Sequence, residues 1–512
     1  MNTNIQEIVE QIHQQLESLL ATMLNSSDSA PSAHEMERTL FARLRELGKS
    51  LYSVYILTQD RKLMDVKSTV FNGKTLPLQD RFHRSLRTIF GLIEFERGYY
   101  YEAGAGKGFF LLDATLNLPK KRNSDLLREW PQLLSCHDAY HKSGTIVGDI
   151  IGFKPSTRTI EEDILEDSKL VGPFYEAAPA PAPSEEASVL VAQADGKGVP
   201  ILKSAATSKG KETKANAGTP NVRKGKGEKD GCKKEAIATA VYTIDPCVRT
   251  PEEVTSSLFK DPSEDKPVKR DKRSGPRNKM LSATLEGKAT AIDIMANRAR
   301  ERDGAHITAR VALTDGAEAL QKQMLRALPT FILILDIIHA VEYLWKAANA
   351  LFGEKSPKRE TWVRERVLQM LSGEVSKIIA EFRQIAEQPR CKKAAKARLL
   401  GVAAYFERNS EYMRYDRYLK AGWPIATGVI EGACRHLIKD RCELAGMRWT
   451  VAGAEALLQL RSVEDNGDWD EFHEYRRAQR LVICYGQPAA ETKTLEKAAL
   501  ETRTSATERR AA

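Results

Sequence analysis

The sequence predicts an α/β core that carries a mixed sheet and a large all-α insertion, preceded by a helical N-terminal region with a helix-turn-helix. Three observations predict it. Apolar runs at 188–194, 306–313 and 330–335 each stop at an acidic residue, Asp195, Asp315 and Asp336, as strands of an open α/β sheet do where their carboxyl ends meet one crevice. From 340 to about 420 the Leu, Ala and Ile residues recur at helical spacing between charges. Residues 176–184, Glu-Ala-Ala-Pro-Ala-Pro-Ala-Pro-Ser, form a Pro/Ala stretch that marks the boundary before the core.

Residues 1–85 are the N-terminal helical region. Ile5, Ile8, Ile12 and Leu16, then Leu19, Leu20 and Met23, fall on one helix face. A polar break at 25–32 precedes a second helix over 35–51, and the helical pattern runs to about 58. Residues 86–175 combine a small hairpin with the helix-turn-helix. Phe90, Leu92, Phe95, Tyr99 and Tyr101 among glycines predict a hairpin within 88–110. Helical stretches at 125–134 and 136–142 lead to a helix over 144–152, a turn at Gly152, and a second helix opened by Pro155-Ser156-Thr157. Lys154, Ser156, Thr157 and Arg158 then stand at the start of the recognition helix, where base edges and phosphates are met. An ordinary αα-hairpin is the competing reading, and the acidic Glu161, Glu162 and Asp163 argue against deep groove burial. Cys136, His137 and His141 lack the second ligand pair that a structural zinc site needs.

After the linker (176–187), residues 188–339 form the first part of the core. Strands at 188–194, 236–244, 306–313 and 330–335 and a helix at 317–328 alternate with lysine-rich, flexible loops at 203–234 and 260–279. The all-α insertion covers 340–425, closed by Gly422-Trp-Pro424. The core resumes over 426–475 with a helix carrying Glu431, and 476–512 is a tail.

With 42% apolar residues the chain buries sizeable cores, and no apolar run approaches the ~20 residues of a membrane span. The N-terminus lacks a signal-peptide core, and seven scattered cysteines suit reduced thiols. A cytoplasmic protein is expected. The net charge of +9 permits a polyanionic partner.

Carboxylates converging at strand ends repel one another and favour a divalent cation between them. Hard oxygen donors suit Mg²⁺, with Mn²⁺ as the alternative, and a two-metal site serves in-line phosphoryl transfer. Glu431 on a helix against the sheet is the candidate third carboxylate. The competing reading makes Asp195-Gly196 and Asp315-Gly316 simple hairpin turns, and residue spacing alone leaves both open.

Four segments carry a family resemblance: Val191-Ala-Gln-Ala-Asp-Gly-Lys-Gly-Val-Pro200, the run 234–246, Leu335-Asp-Ile-Ile-His-Ala340 and Gly428-Val-Ile-Glu-Gly-Ala-Cys-Arg435. They resemble, in the same order, those of bacterial insertion-sequence transposases of the ISKra group, which are distantly similar to Mutator-like transposases. The resemblance covers roughly residues 85–475, including Asn466-Gly-Asp-Trp-Asp470. It implies an RNase H-like catalytic domain with an Asp, Asp, Glu triad at Asp195, Asp315 and Glu431. Asp336 and His339 match that family's Asp-x-x-His signature. Asp336 is therefore the rival second ligand, and His339 is either a site-shaping or DNA-contacting residue or a core histidine satisfied by its neighbours. Arg435, His436, Lys439, Arg441 and Arg448 follow Glu431 and read either as DNA contacts near the cleaved phosphate or as a simple solvated helix face. The cysteines that some relatives carry near 101–106 are absent here. The implied function is Mg²⁺-dependent cleavage and strand transfer of DNA at the element's terminal inverted repeats. It would be carried out by a homo-oligomer at the bacterial nucleoid. The alternatives are a DNA-binding regulator derived from a transposase and a nuclease without strand transfer.

Overall fold

The computed structural model describes residues 5–24, 31–103, 108–202, 232–259, 274–444 and 446–486. The chain divides into two units, Met1–Tyr175 with Asp468–Ala512, and Glu176–Gly467.

The first unit opens with α1 (Ile5–Leu24) and α2 (Ala33–Leu63). A capping box starts α2: the Ser32 hydroxyl accepts from the Glu35 N–H, and the Glu35 carboxylate accepts from the Ser32 N–H. The antiparallel sheet β1 (Ser68–Phe71), β2 (Lys74–Thr88), β3 (Gly91–Tyr100), β4 (Phe109–Phe110) follows in that order. The expected hairpin is there but begins earlier, at Lys74. Its first turn is Asn72-Gly73, both at positive φ (50° and 74°), as a two-residue hairpin turn requires. Ile56 of α2 packs on Leu86, Ile93 and Phe95. Helices α3 (Leu111–Thr115), α4 (Asp125–His137), α5 (Tyr140–Ile151), α6 (Thr157–Asp167) and α7 (Val171–Ala177) follow. Gly152 ends α5 in the left-handed conformation (φ 70°), and Ser156 caps α6 by accepting from the Thr159 N–H at 3.1 Å. The expected pair of helices about Gly152 is therefore present.

The second unit is built on β5 (Val189–Ile201), β6 (Cys232–Ile244), α8 (Pro251–Leu258), β7 (Arg277–Thr284), α9 (Lys288–Glu301), β8 (Ala309–Thr314), α10 (Glu318–Ala327) and β9 (Ile332–Leu335). The sheet runs β7-β6-β5-β8-β9. β6 is antiparallel to both neighbours, while β5, β8 and β9 are parallel. Side chains alternate across a strand, so Leu190, Ala192 and Ala194 face one way. They join Ala291, Ile292 and Met295 of α9 and Leu320 and Met324 of α10 in the core. Gln193 and Asp195 face the other way. There follow α11 (Ile337–Phe352), α12 (Lys358–Leu371), α13 (Val375–Glu387), α14 (Lys393–Asn409) and α15 (Tyr415–Lys420), the expected all-α segment. After it come α16 (Gly428–Ala433), a π-helical turn Cys434–Lys439, α17 (Asp440–Cys442) and α18 (Val451–Asn466). Helix α19 (Trp469–Tyr485) belongs to the first unit.

Several expectations are corrected. β5 does not stop at Asp195: its parallel pairing with β8 ends at Gln193, but its antiparallel pairing with β6 continues to Ile201. β7 and α9 were not foreseen. Of the expected basic loops, 203–231 and 260–273 lie outside the described residues, while 232–234 and 277–279 belong to β6 and β7. The Pro/Ala stretch ends in an anchored segment, because Glu186 is buried and accepts two bonds from Arg302, at 2.7 and 2.8 Å. A buried carboxylate needs such a partner to offset its lost hydration. The single helix expected over 428–444 is broken by the π turn.

Candidate metal centre

The register of the sheet brings the aspartates to one level. Gln193 pairs with Leu313, and Thr314 pairs with Leu335. Continuing each ladder past its last pair sets Asp195 level with Asp315, and Asp315 level with Asp336.

Each carboxylate is held differently. Asp195 is half-buried, and burial raises its pKa. The Gly196 N–H, which donates to it at 2.7 Å, and the Cys434 thiol oppose that rise, while the neighbouring charge of Asp315 adds to it. Asp315 follows β8 directly, and its Oδ1 accepts from the Ala317 N–H at 2.9 Å and the Thr314 hydroxyl at 3.2 Å.

Asp336 is completely buried and caps α11. It accepts from the Ile338, His339 and Thr427 N–H groups at 3.2–3.4 Å and bonds the His339 Nδ1 at 2.6 Å. That bond raises the His339 pKa to about 9 against the effect of burial, and it fixes the imidazole with Nε2 as its remaining nitrogen.

Glu431 lies on α16 and is exposed. The helix is pinned to the sheet by Gln193, buried on the face that carries Asp195. Its Oε1 accepts from the Ile430 N–H at 3.1 Å, and its Nε2 donates to the Tyr242 hydroxyl at 3.0 Å and the Ala426 carbonyl at 3.4 Å. The π turn that follows brings the Cys434 thiol to Asp195. Burial and that contact push the thiol well above its ordinary range, so it is a weak donor rather than a thiolate.

Ligand atoms of Asp336, His339 and Glu431 all lie within 4.8 Å of one another. Asp195 and Asp315 are close enough that Asp315 shifts both Asp195 and His339. Among the described residues, no lysine or arginine forms an ion pair with any of these four carboxylates, and His339 is the one basic group bonded to them. Hard oxygen donors on carboxylates that no lysine or arginine neutralises fit a divalent cation of the Mg²⁺ or Mn²⁺ type.

The other expected residues fall elsewhere. Lys154, Ser156, Thr157 and Arg158 stand at the start of α6 in the first unit. Ser156 spends its hydroxyl on the cap, and exposed Arg158 pairs with Glu162 at 2.8 Å. The acidic tail of α6 turns inward in part, since Asp163 and Asp167 are buried against Arg128. Arg435, His436 and Lys439 are exposed on the π turn that follows α16, and Arg435 and His436 lie at 4.0 and 3.2 Å from the Asp440 carboxylate. Arg441 is buried over the Trp449 ring, with 4.8 Å to its centroid, and does not face outward as expected. Among the described residues, Cys136, His137 and His141 do not gather into a metal-binding group. Sequence reasoning missed Gln193 and Cys434. Gln193 lies two residues before Asp195 on the same strand face, which was the available signal.

Residues 28–214 match the Uncharacterised protein family (UPF0236). The match includes Asp195 and stops before Asp315, Asp336 and Glu431. No curated protein matches the chain. Among the described residues, no helix is long and apolar enough to cross a membrane.

Proposed function

We propose that the chain is an insertion-sequence transposase. It would bind the terminal inverted repeats of its element and carry out Mg²⁺-dependent strand cleavage and strand transfer. The observation that carries this reading is a cluster of acidic residues at the ends of adjacent parallel strands: the charge of Asp315 reaches Asp195 and His339, and ligand atoms of Asp336, His339 and Glu431 lie within 4.8 Å of one another. The strand order β7-β6-β5-β8-β9, with β6 alone reversed, supports an RNase H-like core. The all-α segment between the second aspartate and the glutamate supports the same family.

Asp195, Asp315 and Glu431 would hold the divalent cations. When bound, these supply a Lewis acid that polarises phosphoryl oxygens and offsets the charge that develops in an in-line displacement. The rest of the work falls to the chain. Gln193 fixes the helix bearing Glu431. Asp336 spends both oxygens on four donors, so it orders the start of α11 and the loop at Thr427 and orients His339. Exposed Arg435 and Lys439, on the turn after the Glu431 helix, would offer phosphate contacts, and the start of α6 would offer a DNA-reading surface in the other unit. DNA and a second copy of the chain are the expected partners, in a bacterial cytoplasm. A second reading puts Asp336 in place of Asp315 as ligand, favoured by its closeness to His339 and Glu431.

The test is cleavage and joining of a plasmid carrying the element ends, with Mg²⁺ and with EDTA, by the parent chain and by Glu431→Gln. Metal-dependent nicking at the ends that is lost in the variant supports the reading. Binding of the ends without cleavage by the parent chain would instead indicate a DNA-binding regulator, and cleavage without joining a nuclease.

A further inference from the structure

We propose that the all-α insertion sets the position of the second aspartate, with Tyr405 on α14 as the positioning residue. The proposal rests on reading Asp315 as a metal ligand. Asp315, Gly316 and Ala317 are the whole connection between β8 and α10, and no strand partner accompanies β8 beyond Thr314. Two side chains of α14 take up the carbonyls exposed there. The Tyr405 hydroxyl donates to the Asp315 carbonyl at 3.0 Å, and Arg408 donates to the Gly316 carbonyl at 2.9 Å.

The contact is built, not incidental. Gly316 sits at φ +87°, and a Cβ there would collide with the Tyr405 hydroxyl and lie 2.7 Å from Leu335 Cδ1. The Tyr405 ring lies flat on Tyr343 of α11, with centroids 3.7 Å apart and planes 3° from parallel. α11 is itself capped by Asp336. The insertion therefore grips the loop from α14 and the neighbouring strand end from α11. A backbone clamped next to a ligand fixes where its carboxylate can reach, and outer partners of this kind are worth about tenfold or more in metal affinity.

The experiment is Mn²⁺ binding to the full chain, read by electron paramagnetic resonance, with thermal unfolding in parallel. Tyr405→Phe keeps the ring stack and removes only the donor. It is expected to weaken Mn²⁺ binding about tenfold while the unfolding temperature stays near the parent's. Tyr418→Phe removes a different hydroxyl of the same segment, one donating to the Glu411 carbonyl, and is expected to bind as the parent does. Arg408→Met, at a side chain 45% exposed, provides the same measurement through the Gly316 carbonyl if Tyr405→Phe does not fold. Parent-like Mn²⁺ affinity in Tyr405→Phe, with binding lost in Glu431→Gln, would overturn the proposal and leave the metal site standing. No Mn²⁺ binding by the parent chain, or binding unaffected by Glu431→Gln, would overturn the metal-site reading and this proposal with it.

Discussion

Two regions of the molecule bury acidic residues in opposite ways. In the first unit every buried carboxylate of the α4–α6–α19 interface meets a guanidinium. Arg128 forks onto Asp167 at 2.6 and 2.8 Å, Arg476 bonds Asp125 and Glu129 at 2.8 Å each, and Arg480 bonds Asp125. In the second unit, Asp195, Asp315 and Asp336 stand at strand ends, the Asp336 and His339 ligand atoms lie within 4.8 Å of that of Glu431, and His339 is the one basic group bonded to these carboxylates among the described residues. Paired buried charges hold a fold together, and removing one partner strands the other. Like charges gathered without arginine or lysine partners weaken a fold and persist where they bind something. The same residue types thus make a structural joint in one unit and a candidate site in the other.

The sharpest way to break this comparison is to remove one partner in the paired region. Arg128→Met should cost about 3–5 kcal/mol of stability, read as a shifted denaturant midpoint of the first unit. An unchanged midpoint would show that the network is not structural. Gln193→Leu should cost about 2 kcal/mol, because the Ile430 N–H and the Tyr242 hydroxyl lose a buried partner. It should also lower cleavage, since the Glu431 helix loses its anchor.

The pH response sharpens the contrast next. Burial, then the charge of Arg476, drives the His473 pKa down to about 2, against about 6.5 unfolded. Between those values the unfolded chain binds one more proton, so the contribution is complete above about pH 6.5 and is lost as the pH falls. The slope is about 1.4 kcal/mol per pH unit. His473→Phe should flatten the stability profile between about pH 6.5 and 5, and a profile unchanged by that substitution would contradict the assignment. The smallest effect has the opposite sign. With metal absent, Asp195→Asn relieves repulsion and burial and should stabilise the second unit by up to about 1 kcal/mol. A destabilised variant would mean that its bonds from the Gly196 N–H and the Cys434 thiol outweigh the repulsion and the burial.

Much of the sheet was legible because buried strands are short apolar runs, and 306–313 and 330–335 stop at Asp315 and Asp336 as the structure has them. Asp195 was found for a partly mistaken reason. The glycines at 196 and 198 end the apolar pattern, yet the strand runs on as an antiparallel hairpin that no longer needs burial on both faces. β7 was hidden because Arg277, Asn278 and Lys279 read as part of a basic loop. The choice between Asp315 and Asp336 was open from spacing alone. The structure separates the two by surroundings: Asp336 is buried with both oxygens accepting and lies with His339 and Glu431, whereas Asp315 is only partly buried and accepts on Oδ1. Gln193 and Tyr405 act from 237 and 90 residues away in sequence, where no local pattern marks them.

The central claim is that Asp315, rather than its buried neighbour, binds the cation. Replacing each with a softer ligand tests this most directly, by comparing Asp315→Cys with Asp336→Cys in cleavage of the element ends with Mg²⁺ and with Mn²⁺. Thiolate suits Mn²⁺ better than Mg²⁺. The account predicts that Asp315→Cys loses about a thousandfold in Mg²⁺, some 4 kcal/mol of barrier, and recovers in Mn²⁺, while Asp336→Cys is impaired equally in both. Recovery in Mn²⁺ by Asp336→Cys and not by Asp315→Cys would contradict it.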